Sequence, residues 1–97
     1  MVLEKHQLLR AYRKMVEIRV FEERLHTENL TGDIAGFIHL YAGQEAVAVG
    51  VCEHLSEDDY IGSTHRGHGH CIAKGCDITQ MMCEIFGKES GLCAGKG

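Results

Sequence analysis

The stretch STHRGHGH, residues 63–70, concentrates side chains that could do chemistry, with three histidines, one arginine and two glycines in eight positions. Three kinds of segment have such a composition. Histidines bind transition metals, an arginine beside glycines suits a phosphate group, and an exposed loop needs neither property. The spacing of the histidines and the secondary structure predicted around the stretch help to distinguish a metal site, a phosphate site and an exposed loop.

The spacing of the histidines argues against a metal site. A tetrahedral zinc site needs four Cys or His ligands, usually supplied as two close pairs. His65 and His68 share a face on a helix, whereas His68 and His70 share a face on a strand, so only a loop brings all three together. Cys71 and Cys76 are near, but a second close pair is missing. We expect no metal ligands here, and a small His/Cys metal-binding domain stays an alternative.

The phosphate interpretation rests on the position of Arg66. A short strand is predicted to begin at Tyr60 and Ile61 and to end where the stretch begins, and residues 67–75 are predicted to start a helix. In open α/β sheets, ligands bind beyond the carboxyl ends of strands, and the glycines leave room for close approach. The residues alone still leave an ordinary exposed loop open.

Hydrophobic periodicity predicts the helices that precede the stretch. A helix over residues 3–28 has one apolar face, formed by Leu8, Ala11, Met15, Ile18, Phe21 and Leu25. A second helix over residues 44–55 has no polar stripe, so it should be buried on most sides. Gly50 within it predicts close approach by another backbone. Residues 29–43 have no helical period and are expected to form an ordered loop that packs inward.

A further helix is predicted after the stretch. Asp77 has the position of an N-cap and Gln80 that of its partner in a capping box, and Gly87 should end the helix. The apolar face between them comprises Ile78, Met81, Met82, Ile85 and Phe86.

Composition limits the class of protein. The chain has 97 residues, of which 44% are apolar and 25% charged, as in globular domains. The net charge of −4 argues against nucleic acid and acidic membranes as partners. We find no signal peptide or membrane-length apolar run, and the five cysteines are odd in number and lack CxxC spacing. We therefore expect reduced thiols and a cytoplasmic location.

The sequence matches no other nucleotide-binding or catalytic motif completely. GLCAGKG, residues 91–97, has three residues between its glycines where a P-loop has four, and glycine where Ser or Thr should follow the lysine. No GxGxxG follows the predicted strand, and no Ser-His-Asp or Cys-His pairing can be assigned. His39 is a possible acid or base.

Three long motifs occur in order: GFIHLYAGQEAVAVG at 36–50, DYIGSTHRGHGHCIAKG at 59–75 and EIFGKESGLCAGKG at 84–97. Together they resemble the alpha subunits of thiamine-diphosphate-dependent 2-oxo acid dehydrogenases, most closely the acetoin branch. The resemblance implies an α/β thiamine-diphosphate-binding domain. Residues 1–97 would be the amino-terminal part of that single domain, mostly helical with one short strand.

The resemblance also implies roles for individual residues. His65 and Arg66 would bind the diphosphate of the cofactor, and His39 would act catalytically near the reacting carbon. Phe37 would line the same pocket, and His68 would be a further cofactor-binding residue. Many pyruvate-specific relatives have tyrosine where this chain has His65, which favours the acetoin branch.

Two features of the family are expected to lie elsewhere. The glutamate that activates the aminopyrimidine ring comes from the beta subunit, so Glu45 should not be taken for it. The GDG motif that binds magnesium and diphosphate is absent, since Gly32 and Asp33 are followed by Ile34. We therefore expect an amino-terminal fragment that lacks the metal ligands, is inactive alone and self-associates.

The implied activity is that of an oxidoreductase on aldehyde or oxo groups with a disulfide acceptor. It would cleave a C–C bond next to the carbonyl of a small-molecule substrate and pass the acyl unit to a lipoyl group. The implied partners are a beta subunit, in a heterotetramer, and a lipoyl-bearing acyltransferase. Alternatives are a pyruvate or branched-chain 2-oxo acid dehydrogenase alpha subunit, or, in another class, a helical interaction module.

Overall fold

The computed structural model describes residues 2–97 and contains four α-helices within them, α1 (Lys5–Leu30), α2 (Glu45–Cys52), α3 (His68–Lys74) and α4 (Ile78–Ile85). Helices α1, α2 and α3 pack against one another in all three pairs. The buried apolar core lies among the four helices and the loop after α1, and it comprises Ile18, Phe21, Leu25, Ile34, Tyr41, Ala48, Val49, Ile72 and Met81.

The predicted short strand at residues 60–64 is wrong for this structure. Residues 2–97 contain no strand, and Tyr60 and Ile61 are exposed in irregular backbone. A strand is stable only when a neighbour satisfies its backbone N–H and C=O groups, and no other part of the described chain pairs with this one. The mostly helical character is confirmed for residues 2–97.

Helix α1 confirms the first predicted helix with a shift of two residues at each end. Ile18, Phe21 and Leu25 of the predicted apolar face are buried, but Leu8 is more than half exposed. With 26 residues, α1 is roughly 39 Å long. Helices α2 and α3 have only eight and seven residues, so they do not cover its first turns.

Helix α2 is shorter and less buried than predicted. It ends at Cys52 instead of residue 55, and only Glu45, Ala48 and Val49 of its residues are buried. At Gly50, an added Cβ would find no heavy atom within 4 Å, so the expected close approach of a backbone is wrong. The apolar character of α2 therefore does not by itself produce burial, because no described element covers its outer side.

Helices α3 and α4 confirm the two helices that the sequence predicted within residues 67–87. The helix expected to start within residues 67–75 is α3, and it ends at Gly75 with a φ of 109°. The side chain of Asp77 caps α4 by accepting a hydrogen bond of 3.0 Å from the backbone N–H of Gln80. Gly87, with a φ of 74°, follows the end of α4 as predicted. Of the predicted apolar face, Met81 is buried, three residues are half-buried and Ile78 is exposed.

The loop between α1 and α2 packs inward at two positions. Ile34 and Tyr41 are buried, and Ile38 and Leu40 pack against the core, which confirms the expected ordered loop. Phe37 is the exception, with 95% of its surface exposed.

A partly buried ion pair holds the end of this loop on α1. Arg19 donates to Glu45 from Nε at 2.6 Å and from Nη2 at 3.1 Å, and the N–H of Gly43 lies 3.1 Å from each carboxylate oxygen. Hydrogen bonding from Arg19 is the main cause that lowers the pKa of Glu45 from 4.5 to about 2. The charge of Glu45 therefore stabilises the folded chain.

We expect Glu45→Gln to lower the free energy of unfolding at pH 7 by about 1–2 kcal/mol, measured by urea denaturation. The full shift would correspond to roughly 3 kcal/mol, but half of the Arg19 side chain contacts water, which screens the pair. Because folding depresses this pKa, the contribution is complete above about pH 4.5 and is lost as the pH falls towards 2.

The matched control is Glu28→Gln, since Glu28 pairs with the exposed Arg24 one helical turn away. That change should lower the free energy of unfolding by less than about 0.5 kcal/mol. Equal losses in the two variants would contradict a special role for the Glu45 pair.

Candidate functional site

The structure brings together two of the segments that the sequence singled out. The ring of His39, in the loop before α2, lies edge-to-face with the ring of His65 at a centroid distance of 4.9 Å. The next residue, Arg66, donates from Nη1 to the carbonyl oxygen of Leu40 at 2.6 Å. Predicted catalytic and cofactor-binding residues therefore meet on one exposed surface, although Leu40 and Arg66 are 26 positions apart.

The bond to Leu40 orients the guanidinium of Arg66 without using all of it. A guanidinium has five N–H donors, and one nitrogen is committed to this carbonyl. The side chain is half-buried, so its position is restricted while the other donors remain for a ligand. A positive group held in this way can bind a phosphate through charge-assisted hydrogen bonds.

The two glycines of the stretch serve internal packing, which differs from the expected role of leaving room for a ligand. A Cβ added to Gly69 would lie 2.2 Å from Cδ2 of the buried Tyr41 ring. A Cβ added to Gly67 would lie 3.1 Å from the hydroxyl oxygen of Ser63. Gly69 thus lets Tyr41 pack directly on α3.

A hydrogen-bonded chain also holds the stretch in place. Nε2 of His70 lies 3.0 Å from the hydroxyl of Tyr41, and Nδ1 lies 2.5 Å from Oγ of Ser63. Because the hydroxyl proton of Ser63 is donated to the carbonyl of Thr64, we assign Nδ1 of His70 as the donor to Ser63 and Nε2 as the acceptor from the hydroxyl of Tyr41.

This direction is opposite to that of a nucleophile activated by a base. In a catalytic pair the serine donates its proton to the imidazole, whereas here Ser63 accepts from His70. The chain of hydrogen bonds therefore positions the stretch and does not form a hydrolytic triad. Sequence reasoning missed it, because no spacing pattern connects Tyr41 with His70.

His68 and Phe37 line a different surface from His39 and Arg66. Both border a cleft of about 400 Å³ between the loop at residues 33–38, the end of α4 and the last residues of the chain. Nδ1 of His68 lies 2.9 Å from Oε1 of Glu22, on α1. The predicted site residues thus fall into two groups, although both groups draw on the loop before α2 and on the segment that leads into α3.

The near-match to a P-loop forms the far wall of this cleft. The carboxylate of Glu84 accepts three backbone hydrogen bonds, from Cys93 at 2.5 Å, Gly95 at 2.9 Å and Gly97 at 2.8 Å. These bonds, that of Gly95 first, lower the pKa of Glu84. The amides that would face a phosphate in a P-loop therefore bind a side chain of the same protein.

Metal ligands do not cluster in this part of the chain. Residues 2–97 contain no group of three or more His, Cys, Asp or Glu side chains placed to hold an ion. All five cysteines are free thiols. The alternative of a small zinc-binding domain therefore gains nothing from the structure.

The sequence comparisons define the class. Residues 13–97 match the profile of the family described as "Dehydrogenase E1 component", so the chain belongs to the dehydrogenase E1 component family.

Within that family, the chain is 62% identical over 95 residues to the alpha subunits of acetoin:2,6-dichlorophenolindophenol oxidoreductase from Bacillus subtilis and Cupriavidus necator. It is 46% identical over 95 residues to the alpha subunit of the pyruvate dehydrogenase E1 component from Zymomonas mobilis. The alignments cover 98% of this chain and 28% of each acetoin relative, and 97% and 27% for the pyruvate relative. The chain thus spans little more than a quarter of these relatives, and none of its described helices is long and apolar enough to cross a membrane.

Proposed function

We propose that this chain is the amino-terminal part of the thiamine-diphosphate-binding domain in an alpha subunit that acts on acetoin. The observation that carries the proposal is the 62% identity to two acetoin subunits over nearly the whole chain. The convergence of His39, His65 and Arg66 supports it, because these are the residues to which the resemblance assigns catalysis and diphosphate binding.

The donor set fits the diphosphate end of the cofactor. Arg66 supplies a fixed positive group with free N–H donors, and His65 is exposed beside it. His39 lies against His65 and would position the substrate or move a proton. Phe37 and His68 would contribute to the pocket from the cleft that they share. When bound, thiamine diphosphate supplies an electron sink for cleavage of the C–C bond next to the carbonyl.

The remainder of the site would come from other chain segments. Magnesium would be bound by residues outside this chain, and a beta subunit in a heterotetramer would complete the pocket. In this proposal acetoin yields acetaldehyde and an acyl unit, which passes to a lipoyl group on an acyltransferase partner in the cytoplasm. The isolated chain would be inactive, and its exposed apolar residues on α2 and α4 favour self-association.

A pyruvate or branched-chain 2-oxo acid is the second candidate substrate. Pyruvate dehydrogenase alpha subunits from Porphyra purpurea and Zymomonas mobilis are 44% and 46% identical to this chain. These identities are well below those of the acetoin subunits, so we favour acetoin.

Steady-state kinetics on the full-length subunit, assembled with its partner subunit, tests the proposal. We expect kcat/KM with an artificial electron acceptor to be at least about tenfold higher for acetoin than for pyruvate, a difference of about 1.4 kcal/mol in transition-state stabilisation. The 97-residue chain alone serves as the negative control and should show no turnover. A preference for pyruvate, or turnover by the isolated chain, would contradict the proposal.

A further inference from the structure

Glu22 is a charged residue in the apolar core. It lies on α1 beside Phe21 and is fully buried, like the neighbouring core residues Ile18 and Leu25. Its Oε1 lies 2.9 Å from Nδ1 of His68, and its Oε2 has no hydrogen-bond partner within the described residues. The contact joins residues that are 46 positions apart.

Packing does not explain a glutamate at this position. A buried carboxylate oxygen without a hydrogen-bond partner is unfavourable, because its desolvation is not compensated. Leucine would fill a similar volume without leaving an unpaired oxygen, and replacing both members of a buried charged pair by apolar residues is often neutral or stabilising. The remaining distinctive property of Glu22 is its contact with His68.

The contact determines which nitrogen of His68 carries a proton. A carboxylate oxygen only accepts hydrogen bonds, so Nδ1 of His68 must donate. In the Nδ1–H tautomer Nε2 has a lone pair, and it makes no hydrogen bond to residues 2–97. The ring borders the cleft that Phe37 also lines, and about three-quarters of the side chain is buried.

We propose that Glu22 is a positioning residue that holds His68 in the Nδ1–H tautomer and leaves Nε2 free for a ligand in the cleft that Phe37 also lines, which we assign to the cofactor pocket. Glu22 touches neither substrate nor cofactor in this assignment, and it acts through His68. The inference rests on the proposed function, because it assumes that His68 acts within the proposed cofactor pocket.

The test uses the full-length subunit with its partner subunit and compares two neutral substitutions. Glu22→Leu removes the acceptor and should lower kcat for acetoin about 10- to 100-fold, by analogy with the carboxylates that orient metal-ligating histidines. Because this change removes one partner of a buried pair, the thermal midpoint should fall, and kcat is compared at a temperature at which both proteins are folded. Glu22→Gln keeps an acceptor oxygen and should retain kcat within about threefold. Glu23→Gln, at the neighbouring exposed position, is the control.

Two further measurements exclude a merely structural role. In a His68→Gln background, Glu22→Leu should cause no additional loss of kcat, because the two residues act as one unit. Spectra of 15N-histidine-labelled subunit should show His68 as the Nδ1–H tautomer in the wild type and not in Glu22→Leu.

The outcomes separate this inference from the proposed function. Wild-type kcat retained in Glu22→Leu, multiplied losses in the double variant, or an unchanged tautomer would each overturn the role of Glu22. A wild-type subunit without acetoin turnover would refute the proposed function instead. In that case the NMR spectra still decide whether Glu22 sets the tautomer of His68.

Discussion

Replacing Arg66 with alanine, in a subunit that carries the complete cofactor site, is expected to weaken binding of thiamine diphosphate about 10- to 100-fold. A lost hydrogen bond to a charged group corresponds to about 1.5–3 kcal/mol. The structure strengthens the expectation, because the bond from Arg66 to Leu40 holds the guanidinium in one orientation. The measurement is a calorimetric titration with thiamine diphosphate at fixed magnesium concentration.

The controls for Arg66 separate binding from folding. Alanine also removes the donor to the Leu40 carbonyl, so circular dichroism and the thermal midpoint of each variant must accompany the titration. Arg66→Lys keeps the charge without the planar set of donors and should bind with intermediate affinity. Arg24→Ala removes an exposed arginine from α1 and should leave the affinity unchanged. An unchanged Kd for Arg66→Ala would show that the resemblance misplaces the diphosphate contact.

Replacing Gly69 with alanine is expected to lower the free energy of unfolding by about 1–3 kcal/mol, as is typical of overpacked cores. The new methyl group would lie 2.2 Å from Cδ2 and 2.6 Å from Cγ of Tyr41, whose ring is buried. The ring must move, and its hydrogen bond to His70 moves with it. Urea denaturation followed by far-UV circular dichroism measures the loss.

Gly50→Ala is the matched control for this prediction. Gly50 also lies in a short helix, but an added Cβ there would meet no heavy atom within 4 Å. Alanine should therefore stabilise the chain by up to about 1 kcal/mol through helix propensity. Stabilisation by both substitutions would show that the Tyr41 ring does not pack on Gly69.

The elements that the sequence predicted correctly are those with local causes. Helix α1 follows from apolar residues at helical spacing, and α4 follows from the Asp77 cap and the glycine at 87. The predictions of a strand at residues 60–64 and of a mostly buried α2 were wrong, because both depend on covering elements that the described part of the chain does not contain. A hydrophobic pattern indicates which face of a helix or strand can be buried, but it does not indicate whether another element is present to cover that face.

The same distinction applies to the candidate site. His39, His65 and Arg66 were singled out by motif resemblance, and the structure places them together, while their roles stay predictions. The contacts of Glu22 with His68 and of Tyr41 with His70 were not foreseen. Each joins positions at least 29 residues apart through single side-chain contacts, which leave no periodic trace in a sequence.

The loop around Glu84 has a consequence for competition between anions. The carboxylate and the amides of residues 93–97 belong to one chain, and Glu84 and Cys93 are only nine positions apart. A tether this short gives the carboxylate an effective concentration on the order of millimolar or higher at those amides. Free phosphate or an acidic metabolite at lower concentration would not displace it. The loop should therefore keep its shape whichever anions surround the protein.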